Sequence, residues 1–306
     1  MTPSVSNSTK RRTGSDGFIV VTVLWILGAL AALVSIYAIY VVDSAASFGV
    51  HEDRLRAEAL VSAALELAAY QAGAEPHPTH GQFSFRMGRA TVAVEFRSEA
   101  ARIDLNVAPK ELLGGLFTVL GASDDQAKNY ANRIFGWRTS PPTGQDLEAS
   151  AYRSAGLKYA PRGARFPHVN ELSLVLDLPA ALVERALPFI TIYNGRPQVN
   201  VVDAAPEVIA ALPGLTRDRL NAVLAARQAE PGNGQLLMRL LGPAQTHVTT
   251  EGSNASRVTI HVAFDNGRQM DSQVVILVFK EGSVPFSVLS WHDEGLGDSE
   301  LRAARR

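Results

Sequence analysis

Apolar residues dominate the start of the chain. From Phe18 to Val42 there are 25 residues without a single charge. As a helix rising roughly 1.5 Å per residue, this run is about 38 Å long, enough to cross a bilayer core of about 30 Å. Polar residues precede it, with Lys10, Arg11 and Arg12 clustered, whereas Glu52 and Asp53 follow well after it. The positive-inside bias therefore keeps residues 1–17 in the cytoplasm and exports the chain beyond Val42. A cleavable secretory signal has an apolar stretch of only about 7–15 residues, so this run is too long to be one. Further on, Ala57, Leu60, Ala64 and Leu67 recur at helical spacing, with most neighbouring charges off that stripe. The spacing predicts one rod reaching about Tyr70, ended by Gly73 and the Pro76–Pro78 stretch.

The period then changes from helical to alternating. Phe83, Phe85 and Met87 alternate with polar residues, Gly88-Arg89 permits a turn, and Val92, Val94 and Phe96 alternate again. Much later, Val258, Ile260, Val262 and Phe264 alternate up to Asp265-Asn266-Gly267, a strong hairpin signal because Asn and Gly tolerate positive φ. A return strand over Ser272–Lys280 and another over Phe286–Trp291 complete the set. Strands at both ends of a helical stretch predict one sheet split by an insertion. Within the insertion, Ile103–Leu116 lines up with Val199–Leu212 at an offset of 96. Each copy has a short extended piece, an Asn or Asp able to cap, and a Pro suited to a first helical turn. Leu212-Pro213-Gly214-Leu215 turns the second copy into a helix ending near Arg227, a helix-hairpin-helix pattern, and Pro167–Leu172 opens a helical pair through Ile190.

The predicted fold is α+β: a long membrane helix on a small antiparallel sheet, with a large inserted helical domain. The expected boundaries are a leader over 1–17, a transmembrane helix over 18–42 and its amphipathic continuation over 43–75. The sheet covers 76–105 and 229–292, the helical domain 106–228, and a flexible tail 293–306. Composition narrows the chemistry. Apolar residues make up 46% and the net charge is −1, so nothing global favours a polyanion partner. The absence of cysteine removes disulfides, thiolate metal sites and thiol nucleophiles.

The junction Lys10-Arg11-Arg12-Thr13-Gly14-Ser15-Asp16-Gly17-Phe18 resembles the leader of type IV pilins and pseudopilins. That family's prepilin peptidase cuts after the Gly and the new N-terminus is methylated, which implies a cut between Gly17 and Phe18. The fifth mature residue would be Thr22, where most pseudopilins carry Glu and the K class does not. Such a carboxylate persists within a membrane only with a partner, so a subunit lacking it suits the first place in a filament. Further motifs, in order, are Ile134-Phe-Gly-Trp-Arg138, Phe166–Leu172, Pro188–Tyr193 and Val199–Leu215, continuing to Val288-Leu-Ser-Trp291. Together they resemble general secretion pathway protein K, the K-class minor pseudopilin of type II secretion, over residues 17 to about 292. The resemblance implies a non-enzymatic tip subunit that initiates the pseudopilus and supports export of folded proteins across the outer membrane. It implies the I-class and J-class pseudopilins as partners, with Ala57, Leu60, Ala64 and Leu67 as the helix-packing stripe. It further implies the prepilin peptidase and an inner-membrane secretion platform as partners, and a single-pass inner-membrane anchor with the bulk of the chain periplasmic.

Other chemistry competes with this reading. A membrane-anchored DNA receptor of the competence type also uses helix-hairpin-helix units. Those grip phosphate through close backbone approach, usually with a second Gly where this chain has Thr216, and residues 199–228 are neutral overall. No nucleophile elbow, His-Glu-x-x-His helix or phosphate loop is present. His77 and His80 are too few for zinc, and Asp124-Asp125 reads as the acidic first turn of a helix. Family members can bind calcium, and Asp146 and Glu148 are the candidate ligands here. Two carboxylates fall short of six to eight oxygens, and Arg138-Thr139-Ser140 stands where the family often has acidic residues.

Overall fold

The computed structural model describes residues 16–140, 147–279 and 284–298. The chain divides into two units, Met1–Glu58 and Ala59–Arg306. Helix α1 (Asp16–Ala72) contributes to both. In the first unit every described side chain from Phe18 to Val41 is exposed, as expected of a surface that lipid would cover. Val20–Val41 is long and apolar enough to cross a membrane. Arg56 pairs with Glu52 at 2.6 Å and Arg54 with Glu58 at 3.1 Å, so these charges are matched one helical turn apart.

The second unit opens with the buried face of α1, comprising Leu60, Val61, Ala64, Leu65, Ala68, Ala69 and Ala72. The helix stops at Ala72, as the Gly73 and proline signals require. A five-stranded antiparallel sheet is ordered β1 (His80–Met87), β2 (Ala90–Ser98), β7 (Ala255–Phe264), β8 (Arg268–Val278) and β9 (Phe286–Asp298). Along β2, Ala90, Val92, Val94, Phe96 and Ser98 are buried while the residues between them are exposed. One face therefore meets a core, and α1 supplies the apolar surface opposite; at Gly73 an added side-chain carbon would lie 3.4 Å from Val278 Cγ1. Gly267, at φ +84°, turns β7 into β8 where the Asn-Gly signal predicted a hairpin. β8 begins at Arg268 rather than Ser272, and β9 runs on to Asp298, paired with Arg268. The terminal tail was expected to begin at residue 293; the strand carries six residues further because cross-strand bonding continues.

Between β2 and β7 lies the helical part. It contains β3 (Ile103–Asp104), α2 (Lys110–Val119), α3 (Asp124–Arg138), α4 (Leu147–Ser154) and α5 (Ala180–Ala186). There follow β4 (Ile190–Thr191), β5 (Val199–Asn200), α6 (Pro206–Ala210), α7 (Arg217–Ala229), α8 (Gly234–Leu241) and β6 (Val248–Thr249). This corrects two boundaries. Residues 229–249, expected in the sheet, hold instead the end of α7, then α8, a 3-10 turn and β6. The pair expected through Ile190 is a 3-10 turn plus α5, because Ile190–Thr191 pairs as a parallel strand with Ile103–Asp104. One continuous core, including Leu112, Leu116, Ile134, Trp137, Leu172, Ile209 and Leu237, fills this part.

The internal repeat is a repeat of bonding. In the first copy Leu105 N donates to Thr191 O at 2.8 Å; in the second Val201 N donates to Thr249 O at 2.9 Å. Asp104 Oδ1 accepts from Asn106 N, and Asn200 Oδ1 accepts from Val202 N, at 2.8 and 2.7 Å. The Asp and Asn thus make turns before the helices instead of capping them; the cap positions are Pro109 and Ala205, without side-chain bonds. An arginine from the following long helix then closes each copy. Arg138 donates to Leu105 O and Ala108 O, and Arg227 donates to Ala204 O. The helices after the two turns differ, with ten residues in α2 and five in α6.

Candidate functional site

The anchor helix carries the residues expected to govern export and assembly. Gly17 and Phe18 lie in the first turn of α1, whereas leader residues 1–15 lie outside the described residues. Thr22 Oγ1 donates to Phe18 O at 2.9 Å, so its hydroxyl is satisfied within its own helix. Threonine here brings no unmet polar group into hydrocarbon, where an unpaired carboxylate would. Of the stripe Ala57, Leu60, Ala64 and Leu67, the first three are buried in this chain and Leu67 is 43% exposed. Of that stripe, only Leu67 is open to a partner. Periodicity finds the apolar face of a helix without saying whether its own sheet covers it.

The second feature is the junction of sheet and helical part, which the sequence did not announce. The chain leaves β2 through a 3-10 turn at Glu99–Ala101, capped by Ser98, whose Oγ also accepts from Ser253 N at 2.8 Å. Glu99 is fully buried. Its carboxylate accepts from Arg257 Nε at 2.8 Å and Nη2 at 3.3 Å, and from the Thr191 hydroxyl. One carboxylate thereby ties the outgoing turn, a sheet strand and β4 together. Arg102 beside it is pushed down to about 10, first by burial and then by the charge of Arg257. A second tie joins His80 Nδ1 to Asp203 Oδ1 at 2.7 Å, linking β1 to the turn before α6. Burial likewise pushes the Asp104 carboxyl up, opposed by bonds from Gly195 and Asn106.

The remaining candidates disperse. His77 Nδ1 faces Ala74 O at 2.8 Å while His80 is turned to Asp203, so the two do not converge on one ion. Asp124 and Asp125 do form the first turn of α3, behind a capping box of Ser123 and Gln126. Asp146 lies outside the described residues. Glu148 Oε1 accepts from Arg133 Nη1 at 3.1 Å, so its carboxylate already holds a cation. Among the described residues no group of three His, Asp or Glu side chains is placed to hold a metal ion. On the nucleic-acid reading, Gly214 has φ +73° as a hairpin turn needs. However, Thr216 caps α7 by accepting from Arg219 N, and Arg219 and Arg227 both donate to carbonyls of the fold. Arg217, Arg219 and Arg227 are matched in number by Asp203, Glu207 and Asp218, so the segment carries no net positive charge.

Residues 96–195 match the family model for type II secretion system protein K. No curated protein matches the sequence. Among solved structures the fold resembles a chain of the GspK-GspI-GspJ complex from enterotoxigenic Escherichia coli type 2 secretion. The TM-score is 0.53 at 16% identity, over 79% of this chain and 95% of that one. The matched stretch runs from Phe96, at the end of β2, past the Glu99 turn and through β4 to Gly195. Over residues 96–195 the chain is thus similar to protein K of type II secretion, on a fold like that of the complex's chain and with an apolar N-terminal helix fit for a single membrane crossing.

Proposed function

We propose that this chain is a pseudopilus tip subunit that starts filament growth and thereby supports export of folded proteins across the outer membrane. The observation that carries this reading is the insertion itself. A helical part with its own core stands between β2 and β7, on a pilin-like helix and sheet. Such a head leaves no room for a further subunit above it. Thr22, bonded within its own helix, needs no partner ammonium beneath another subunit. In this reading residues 1–17 are cytoplasmic, the prepilin peptidase cuts between Gly17 and Phe18, and the chain beyond Val42 is periplasmic. Its partners are the I-class and J-class pseudopilins and the inner-membrane platform, and its repeat is a helix-hairpin-helix-like unit used for packing, with no nucleic acid bound. The test is co-purification of the full-length protein, tagged in its own cells, with the other minor pseudopilins. Recovery of both partners in fixed ratio is expected, and their absence under mild detergent extraction overturns the assignment.

A further inference from the structure

The helical part holds, in three places, a guanidinium where oxygen donors converge. Arg133, on α3, reaches two segments at once: Nη1 donates to Glu148 Oε1 at 3.1 Å and Nη2 to Asp177 Oδ2 at 3.3 Å. Its side chain is only 20% exposed, so it is a largely desolvated cation held by two carboxylates. Arg138 takes the carbonyls of Leu105 and Ala108. Arg162 grips both carboxylate oxygens of Glu171, which holds that carboxyl below its usual range. Between them these bonds fasten the segments around Trp137, whose ring packs on Tyr152 at 5.9 Å and Phe166 at 6.1 Å.

We infer that these arginines are built-in cations that fasten the helical part in place of a bound divalent ion, so that it keeps its fold without calcium. A calcium ion needs six to eight oxygens, and among the described residues the carboxylates of Glu148, Asp177 and Glu171 already bond to guanidinium groups. Seating calcium beside Arg133 would bring a double charge against a fixed single one in a half-dry site. Arginine suits the task because its planar fork binds two acceptors in fixed geometry and stays charged at any working pH.

The experiment uses the full-length protein in detergent micelles. Thermal unfolding is followed by tryptophan fluorescence in chelator and in about 1 mM calcium, the weak end of protein calcium affinities. The expected midpoints agree within about 1 °C, whereas a site filled at a hundred times its Kd would raise the midpoint by about 5–10 °C. Arg133→Met is expected to lower the midpoint by about 3–6 °C, equally in both buffers. Terbium, a calcium mimic whose emission nearby tryptophan excites, gives a second reading on the unaltered protein, with no saturable signal expected. A calcium-dependent rise in the unaltered protein, saturable terbium emission, or an Arg133→Met variant at the unaltered midpoint would each overturn the inference. None of these readings depends on pseudopilus assembly, so they stand or fall apart from the proposed function.

Discussion

A buried carboxylate survives only where its partners are complete, and Glu99 shows how completely one side chain can be committed. Fully out of water, it meets Arg257 twice and Thr191 once, and these three residues come from three different segments. Desolvation offsets much of the attraction in such a pair, so its presence adds little net stability, but removing one member leaves an uncompensated charge. Arg257→Met is therefore expected to destabilise the protein by about 3–5 kcal/mol, and Glu99→Gln with Arg257→Met together by clearly less than the sum of the two single changes. Urea unfolding of the two singles and the double measures this. Tyr152 belongs to the same scale. Its hydroxyl accepts from Leu176 N at 2.8 Å, and burial pushes its pKa up to about 12. Nothing in a linear reading sets Glu99 or Tyr152 apart, because their partners lie 158 and 24 residues away.

Among elements, the two copies of the repeat meet at equivalent positions. Gly115 in α2 and Ala211 after α6 occupy the same place in the alignment. A side-chain carbon on Gly115 would stand 2.1 Å from Ala211 O, which is backbone and cannot swing aside. Gly115→Ala is expected to force the two segments apart and lose about 1–3 kcal/mol, measurable by urea unfolding. Gly114, one residue earlier, has its nearest such contact at 3.7 Å and should accept alanine with little loss, which makes it the control. The sequence shows the repeat plainly at its offset of 96, and the alternating strands around Asn266-Gly267 as plainly. It misplaces the end of the helical part, since β6 depends on β5 as its partner and α8 packs against α7.

At the scale of the whole molecule, the proposed function turns on the N-terminal helix. If the Gly17–Phe18 bond is the processing site, Gly17→Ala should leave the full precursor in membranes, and mass spectrometry of the extracted protein would show an intact leader. Release of a chain beginning at Phe18 from that variant would remove the leader assignment. A start near residue 47 in the unaltered protein would instead mean a cleaved signal, and the anchor would be lost with it.

The sequence alone was enough for much of what depends on neighbours within about one helical turn or along one strand. That includes the apolar span, the end of α1, the alternation of β2 and β7, the Asn-Gly hairpin and the duplicated strand-turn-helix. These are local because backbone bonding and side-chain period are local. What lay beyond it depended on residues meeting across the chain. The stripe at Ala57, Leu60, Ala64 and Leu67 reads equally well as an interface or a core, and only the fold shows that three of the four are inside. Nothing in the sequence places Arg133 beside Glu148, and Glu99 reads as nothing until Arg257 and Thr191 close around it. A charge declares its role through the opposite charge that tertiary structure brings to it, and no spacing along the chain encodes that encounter.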